Sequence, residues 1–324
     1  MYTSGANTRR TVAITGASGY LGTALVSRLI ELPLEILRVS RQELGLISGV
    51  RTLRADVRTF ECWLEIVEKS DVIFHLAGNT SVYNAAVNPS GSLSSTLLPV
   101  THLVRAAQKL GRKPRVVFAS TATVYGLTAH LPVAETIEPK PITVYDLHKL
   151  FAEQQLEMAT QHGVVNGISL RLANVYGPSL SVSSADDRGV LNRVTKMAMQ
   201  GKDLVLYGDG NYLRDYVYID DVISAFIVSG FRDGISGRVF NVATGESVSV
   251  RDAFHLVVQR VKSVTGKSVQ IESAPWPEGA SPIELRNYTS NINSSVDDLG
   301  WKPKISLEAG IDRMVDSFIN STRN

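Results

Sequence analysis

The sequence predicts an α/β protein, a doubly wound parallel sheet with a smaller C-terminal α/β lobe. Three observations lead there. From Thr11 to about Val175, short apolar runs alternate with longer segments of helical period. Those runs are continuously apolar, as strands covered on both faces are, where a half-solvated strand would alternate. The composition, 44% hydrophobic against 20% charged over 324 residues, supplies a core of that size with an appended lobe. It excludes low-complexity disorder, collagen and tail-dominated architectures.

In chain order, Val12 to Thr15 reads as the first buried strand, and Leu21 to Leu32 as the helix after it. Pro33 marks the break before a second strand, Leu34 to Val39. A short strand at Thr52 to Arg54 precedes a helix from Thr59 to Glu68, and Asp71 to Leu76 is strand-like. Leu97 to Leu110 is predicted helical, Arg115 to Ala119 a strand, Tyr145 to His162 a helix, and Gly167 to Leu172 another buried strand. Beyond Gly177-Pro178 the texture changes. The Ser/Asp-rich stretch 179–189 lacks period and reads as a loop, and Ala274 to Pro282 carries three prolines and a glycine. The expected division is a first domain over 1–175 and a second lobe over 176–324, interleaved with the end of the first.

Charge and cysteine content narrow the function. Lys and Arg total 33 against 31 Asp and Glu, without a basic run, so no nucleic-acid partner is expected. The single cysteine, Cys62, excludes an internal disulfide and a cysteine zinc cage, and its expected role is helix packing. No His/Asp/Glu group has metal-ligand spacing, so no metal is predicted. Met1 to Arg10 is polar, without the apolar core of a secretory signal, and no run reaches the ~18 apolar residues a membrane span needs. A soluble, cytoplasmic protein with no membrane partner is the expectation.

The first strand and helix are joined by Gly16-Ala17-Ser18-Gly19-Tyr20-Leu21-Gly22, a G-x-x-G-x-x-G spacing. At a first βα junction this spacing serves a dinucleotide. One glycine permits the tight turn, the next admits a pyrophosphate to the backbone N–H groups, and the last lets helix and strand pack closely. The helix N-terminus then faces the phosphates. This makes the doubly wound sheet a Rossmann-type, NAD(P)-binding one. The second strand ends in Ser40-Arg41, with no carboxylate before Glu43 to accept a ribose 2′-hydroxyl. A hydroxyl and a guanidinium suit a 2′-phosphate, so NADP(H) is expected over NAD(H), with Arg41 on the phosphate.

Tyr145 and Lys149 stand at i and i+4, on one face of a predicted helix. A lysine so placed holds a cofactor ribose and, by its charge, favours the phenolate of a tyrosine that ordinarily titrates near pKa ~10. That is what a general base needs. Ser120-Thr121-Ala122-Thr123 follows a buried strand, where ligands sit in open α/β sheets, and a hydroxyl there can bond a reacting oxygen. A Ser/Thr-rich loop bonded to its own backbone is the plainer alternative.

Taken together, several segments resemble the extended short-chain dehydrogenase/reductase family, in its nucleotide-sugar branch. They are Gly16 to Gly22, His75-Leu76-Ala77-Gly78, Ser120 to Gly126, and Tyr145 with Lys149. Arg171 to Pro178, Arg214 to Val222 and Leu299-Gly300-Trp301-Lys302-Pro303 extend the resemblance over nearly the whole chain. The resemblance implies a catalytic set of Tyr145 as acid/base, Lys149 as ribose anchor and Thr121 beside the sugar oxygen. It places Gly16, Ser18, Gly19, Tyr20, Leu21, Gly22, Ser40, Arg41, Leu76, Ala77, Gly78 and Ser120 along the cofactor, with Asp56-Val57 bordering adenine. Asn174, Arg214 and Arg286 would hold the diphosphate of a nucleotide-sugar substrate, through charge-assisted bonds. Arg214 pairing only with Asp215 or Asp221, and Asn174 only capping a turn, are the plainer alternatives. A homodimer through the helices after Pro89 and at Tyr145 is also implied.

The resemblance points to epimerisation at C4 through a 4-keto intermediate, by reversible hydride transfer to the nicotinamide. Ala122-Thr123 stand where dehydratases carry Asp-Glu, which argues against 4,6-dehydration. Thr96 to Thr101 lacks the family's usual asparagine and Gly-Thr. Two rivals stay open: an NADPH-dependent reductase of an NDP-4-keto-6-deoxyhexose, and a cofactor-sensing protein without catalysis. His75 is expected to pack beside the cofactor, His148 to face solvent and Trp301 to anchor packing.

Overall fold

The computed structural model describes residues 9–179 and 189–323. Positions 180–188 of the loop expected over 179–189, and most of the N-terminal stretch, therefore lie outside the described residues.

The chain opens with β1 (Thr11–Thr15), α1 (Tyr20–Leu29), β2 (Glu35–Ser40), β3 (Val50–Arg54), α2 (Phe60–Lys69) and β4 (Val72–His75). It continues through α3 (Val82–Val87), α4 (Pro89–Leu110), β5 (Arg115–Thr121), a 3-10 turn (Ala122–Tyr125), α5 (Val144–Gln161) and β6 (Asn166–Leu172). The remainder is β7 (Asn174–Tyr176), α6 (Val190–Met199), β8 (Leu204–Tyr207), β9 (Leu213–Arg214), β10 (Tyr216–Tyr218) and α7 (Ile219–Phe231). It ends with β11 (Arg238–Val242), β12 (Val248–Ser249), α8 (Val250–Thr265), β13 (Ile271–Ala274), a 3-10 turn (Pro282–Leu285), α9 (Asn293–Asp297) and α10 (Leu307–Arg323).

Seven strands form one parallel sheet in the order β11-β6-β5-β4-β1-β2-β3. The two-residue period of a strand sends neighbouring side chains into different cores. Val12, Ile14 and Val117 join the core shared with α1 and α7, while Ala13, Val116 and Phe118 join that of α2, α4 and α5. Both faces are covered, as the continuous apolar runs require. Three two-stranded ribbons, β7 with β10, β9 with β12, and β8 with β13, lie beyond the main sheet.

Two element boundaries differ from expectation by more than two residues. The first helix stops at Leu29 instead of Leu32. α4 starts at Pro89, eight residues before Leu97, because the Asn88 side chain caps it by accepting from Gly91 N at 2.8 Å and Pro89 fits the first turn. Its opening turns are serine-rich and carry no apolar period to read, and Ser94 and Ser95 bond back to Gly91 O. Among the described residues no helix is long and apolar enough to cross a membrane.

Candidate active site

Strand order reverses between β1 and β4, so a crevice opens beyond their C-terminal ends. The glycine turn fills one side of it. Gly16 has φ +69°, and a Cβ there would stand 2.8 Å from Ala77 N, so the two loops abut. A Cβ on Gly22 would stand 2.1 Å from Gly16 O, which leaves α1 no room for a side chain at that point. Gly19 is the N-cap of α1 and offers no side-chain cap, so the first-turn N–H groups await an anion. The Tyr20 hydroxyl is spent inside the protein, donating to Gly177 O at 2.9 Å. Tyr20 can therefore serve a cofactor only through its backbone.

Thr15 ties the two loops together. Its hydroxyl oxygen accepts the N–H groups of Leu76 and Ala77, both at 3.2 Å, and so donates its own proton to His75 Nδ1 at 2.8 Å. Burial, with the charge of Lys149, pushes the His75 pKa down to about 3. The ring is neutral and lies edge-on to Trp63, with centroids 5.1 Å apart. Packing is its role.

At the end of β2, buried Ser40 lies 3.2 Å from Ser18, oxygen to oxygen, and exposed Arg41 follows. Asp56 is held below the usual carboxylate range chiefly by Arg58, 2.5 Å away, with a contribution from Arg41. Val57 O accepts the Trp63 indole N–H at 2.7 Å, which fixes the β3–α2 loop.

The opposite wall comes from β5 and α5. Thr143 caps α5, accepting from Asp146 N at 3.2 Å. Tyr145 is thereby the second residue of α5, where the helix dipole favours an anion such as a phenolate. One turn on, Lys149 is only 4% exposed; its ammonium donates to Ala119 O at 2.8 Å and lies 4.8 Å from the Phe118 ring centre. Burial pushes its pKa down to about 8, against the pull of Glu153. A Cβ on Gly78 would stand 3.4 Å from that ammonium, so glycine there keeps the approach to Lys149 open.

Thr121 ends β5, its hydroxyl 2.8 Å from that of Thr123, which donates to Asp146. Ser120 points elsewhere and donates to Glu153. Glu153 receives Arg171 side-on, through Nη2 at 2.7 Å and Nε at 3.1 Å, with both side chains buried. Neither Asp146 nor the Glu153–Arg171 pair was expected. Thr143 and Asp146 carry a T-x-x-D capping pattern, and Glu153 lies one turn beyond Lys149, so both had a sequence signal.

Asn174, Arg214 and Arg286 also come together. Arg286 Nη2 lies 3.5 Å from Asn174 Oδ1, and Asn174 Nδ2 donates to Asp215 O at 3.0 Å. Arg214 donates to the carbonyl oxygens of Leu213, Glu284 and Arg286, so it pairs with neither Asp215 nor Asp221. Burial, then the charge of Arg286, pushes the Arg214 pKa down to about 10, and burial lowers Arg286 as well. Buried Arg286 Nε has no hydrogen-bond partner. Two desolvated guanidiniums side by side are a corner built for a polyanion.

His148 corrects an expectation. It is buried, with Nδ1 3.0 Å from Ser92 Oγ, because α3 and α4 cover the α5 face that was read as solvated. Trp301 anchors packing as expected, its indole N–H donating to Ser224 Oγ at 2.7 Å. Cys62 is buried in α2, where burial pushes its thiol up to about 12.

The glycine cradle, the uncapped α1 terminus and the Gly78–Lys149 approach fit a nicotinamide dinucleotide, and the fold and site define a dinucleotide-dependent α/β enzyme. The chain belongs to the NAD dependent epimerase/dehydratase family, whose sequence profile matches residues 12–243. It is 29% identical to the UDP-glucose 4-epimerase of Mycolicibacterium smegmatis, covering 96% of this chain and 99% of that one. Among solved structures, it is similar to the UDP-glucose 4-epimerase of Thermotoga maritima with UDP-glucose, at TM-score 0.85 and 28% identity. That match covers 96% of this chain and 99% of the other. MoeE5 in complex with UDP-glucose and NAD matches at TM-score 0.84 and 26% identity, over 96% and 99% of the two chains.

Proposed function

We propose that the protein epimerises a UDP-hexose at C4, using a nicotinamide dinucleotide that ends each turnover unchanged. The observation that carries this is the position of Thr121 and the Tyr145–Lys149 helix at the crevice, with the Asn174–Arg214–Arg286 corner for the substrate. The similarity to UDP-glucose 4-epimerases supports uridine as the base.

Gly16, Ser18, Gly19 and the first-turn N–H groups of Tyr20, Leu21 and Gly22 would hold the pyrophosphate. Leu76, Ala77, Gly78 and the backbone of Ser120, whose hydroxyl is given to Glu153, would line the nicotinamide half, and Asp56-Val57 the adenine. When bound there, the nicotinamide would supply a reversible hydride acceptor for the sugar carbon. Lys149 anchors the ribose and by its charge favours the Tyr145 phenolate. Tyr145 removes the C4 hydroxyl proton and later restores it, and Thr121 lies beside that oxygen. Arg214 and Arg286 hold the diphosphate while the 4-keto sugar turns to present its other face. The substrate lobe is drawn mainly from residues 176–324.

Ser40, Ser18 and exposed Arg41 support a preference for NADP(H), with Arg41 on the 2′-phosphate. Titration of stripped protein with both dinucleotides tests it, and equal or tighter NAD binding refutes it. Leu93 on α4 and Leu147, Phe151 and Met158 on α5 are exposed apolar residues that support a homodimer through these helices. A cytoplasmic location accords with a soluble nucleotide-sugar substrate.

The test is direct. Purified protein with UDP-glucose should form UDP-galactose, followed by NMR, without net consumption of dinucleotide. Tyr145→Phe should slow turnover at least ~100-fold while still binding cofactor. Stoichiometric NADPH consumption would instead establish the reductase, and full turnover by Tyr145→Phe would remove the assigned base.

A further inference from the structure

Asp146 has no part in the mechanism above, yet it is a carboxylate with 0% exposure, one residue beyond Tyr145. Its Oδ1 accepts the Thr123 hydroxyl and its Oδ2 accepts the Thr143 hydroxyl at 2.6 Å. Burial raises its pKa, while the hydroxyls of Thr123 and Thr143 and the charge of Arg286 restrain that rise. Thr143 accounts for capping α5. Thr123 does not, since it projects from the turn beyond β5 and connects Asp146 to Thr121.

Counting protons fixes the direction of this chain. An ionised carboxylate only accepts, and a threonine hydroxyl has one proton to give. Thr123 commits its proton to Asp146, so in the 2.8 Å contact Thr121 is the donor and Thr123 the acceptor. Thr121 Oγ1 also accepts Thr123 N–H at 3.2 Å. Its remaining lone pair is left for an incoming hydroxyl. Both hydroxyl protons in the series, that of Thr121 and that of Thr123, point toward Asp146.

We propose that Asp146 is a second proton acceptor for the sugar, reached through the hydroxyls of Thr121 and Thr123. The proposal rests on the epimerase reading. As the C4 hydrogen leaves as hydride to the nicotinamide, the C4 O–H bond breaks and its proton passes to Thr121 Oγ1. The Thr121 proton moves to Thr123 Oγ1, and the Thr123 proton to Asp146 Oδ1, so the carboxylate becomes a neutral acid and C4 a ketone. The reverse movement accompanies hydride return. A carboxylate is a weaker base than a phenolate, so Tyr145 carries most of the turnover and the relay carries what survives its loss.

The experiment uses the full-length holoenzyme with UDP-glucose. The Tyr145→Phe enzyme should retain a rate above the uncatalysed blank. Adding Thr123→Val should lower that residual rate at least tenfold, and Thr123→Ser, which keeps the hydroxyl, should restore it. Asp146→Asn in the same background should match Thr123→Val. Thr123→Val alters neither charge nor the Thr143 cap, so it remains informative if the Asp146 variant fails to fold. A curved proton inventory in mixed H2O and D2O should accompany the residual rate, since several protons move together. A Tyr145→Phe enzyme no faster than the blank overturns the proposal, as does a residual rate indifferent to Thr123→Val. Failure of the epimerase reading is a separate result: wild-type protein that does not interconvert the UDP-hexoses.

Discussion

Replacing Lys149 by methionine should stabilise the cofactor-free protein while abolishing its activity. The ammonium is only 4% exposed and has one hydrogen bond, to Ala119 O. Glu153, whose charge pulls the Lys149 pKa upward, is already engaged by Arg171 and Ser120. The Lys149 pKa falls from 10.5 to about 8 with burial as the main cause. At ~1.4 kcal/mol per unit, holding the charge there costs about 3.5 kcal/mol relative to water. Methionine has nearly the same length and no charge, and forfeits a charge-assisted hydrogen bond worth about 1.5 kcal/mol. The net gain is about 2 kcal/mol at pH 7, or a few degrees in melting temperature.

The pH dependence tests the cause. Below the folded pKa of about 8, lysine is protonated in both folded and unfolded chains, and the cost is fully present. Between about 8 and 10.5 the unfolded chain binds the proton more strongly, so wild-type stability rises with pH. Above that window both forms are neutral and the cost has gone. Urea unfolding of stripped wild type and Lys149→Met from pH 7 to 10.5 should show a gap favouring the variant that closes as pH rises. A variant less stable at pH 7, or a gap unchanged across the window, would refute the reasoning.

Three further outcomes follow from the same geometry. Glu153→Ala leaves buried Arg171 without its carboxylate and should cost about 3–5 kcal/mol in urea unfolding. Arg286→Ala removes the charge-assisted contact proposed for the substrate diphosphate and should raise KM for the UDP-sugar about 10–100-fold, with a smaller effect on kcat in steady-state assays. Phe151→Glu puts a carboxylate into the exposed apolar stripe of α5 and should yield a monomer in analytical ultracentrifugation, with its circular dichroism unchanged.

The sheet was legible because its strands are buried on both faces. Val12 to Ile14, Val72 to Phe74 and Val116 to Ala119 each offer an unbroken apolar run, and the glycine turn follows the first of them after Thr15. The start of α4 was not legible, since Asn88 and Pro89 supply the signal and the serines after them look like a loop. His148 was misread for a related reason. Its sequence neighbours do not reveal that a second helix layer, α3 and α4, lies over that face of α5. The Asn174–Arg214–Arg286 corner was reached only by resemblance, because these residues lie far apart in the chain and meet only in the folded lobe.

The same helix accounts for most of what remained hidden. α5 buries Asp146, Lys149 and Glu153, a set that a helix selected for packing alone would not place inward. Each is held by partners from other elements: Thr123 from the turn after β5, Ala119 O from β5, and Arg171 from β6. Periodicity registers these positions as polar and assigns them to solvent, so the pattern fails where the chemistry lies. The partners do more than satisfy charge. They fix the rotation of α5 about its axis, and with it the direction in which Tyr145 and Lys149 leave the helix. Loss of the Glu153 carboxylate or of the Thr123 hydroxyl should therefore be felt at the crevice, whereas Phe151 on the outer face can be altered without disturbing it.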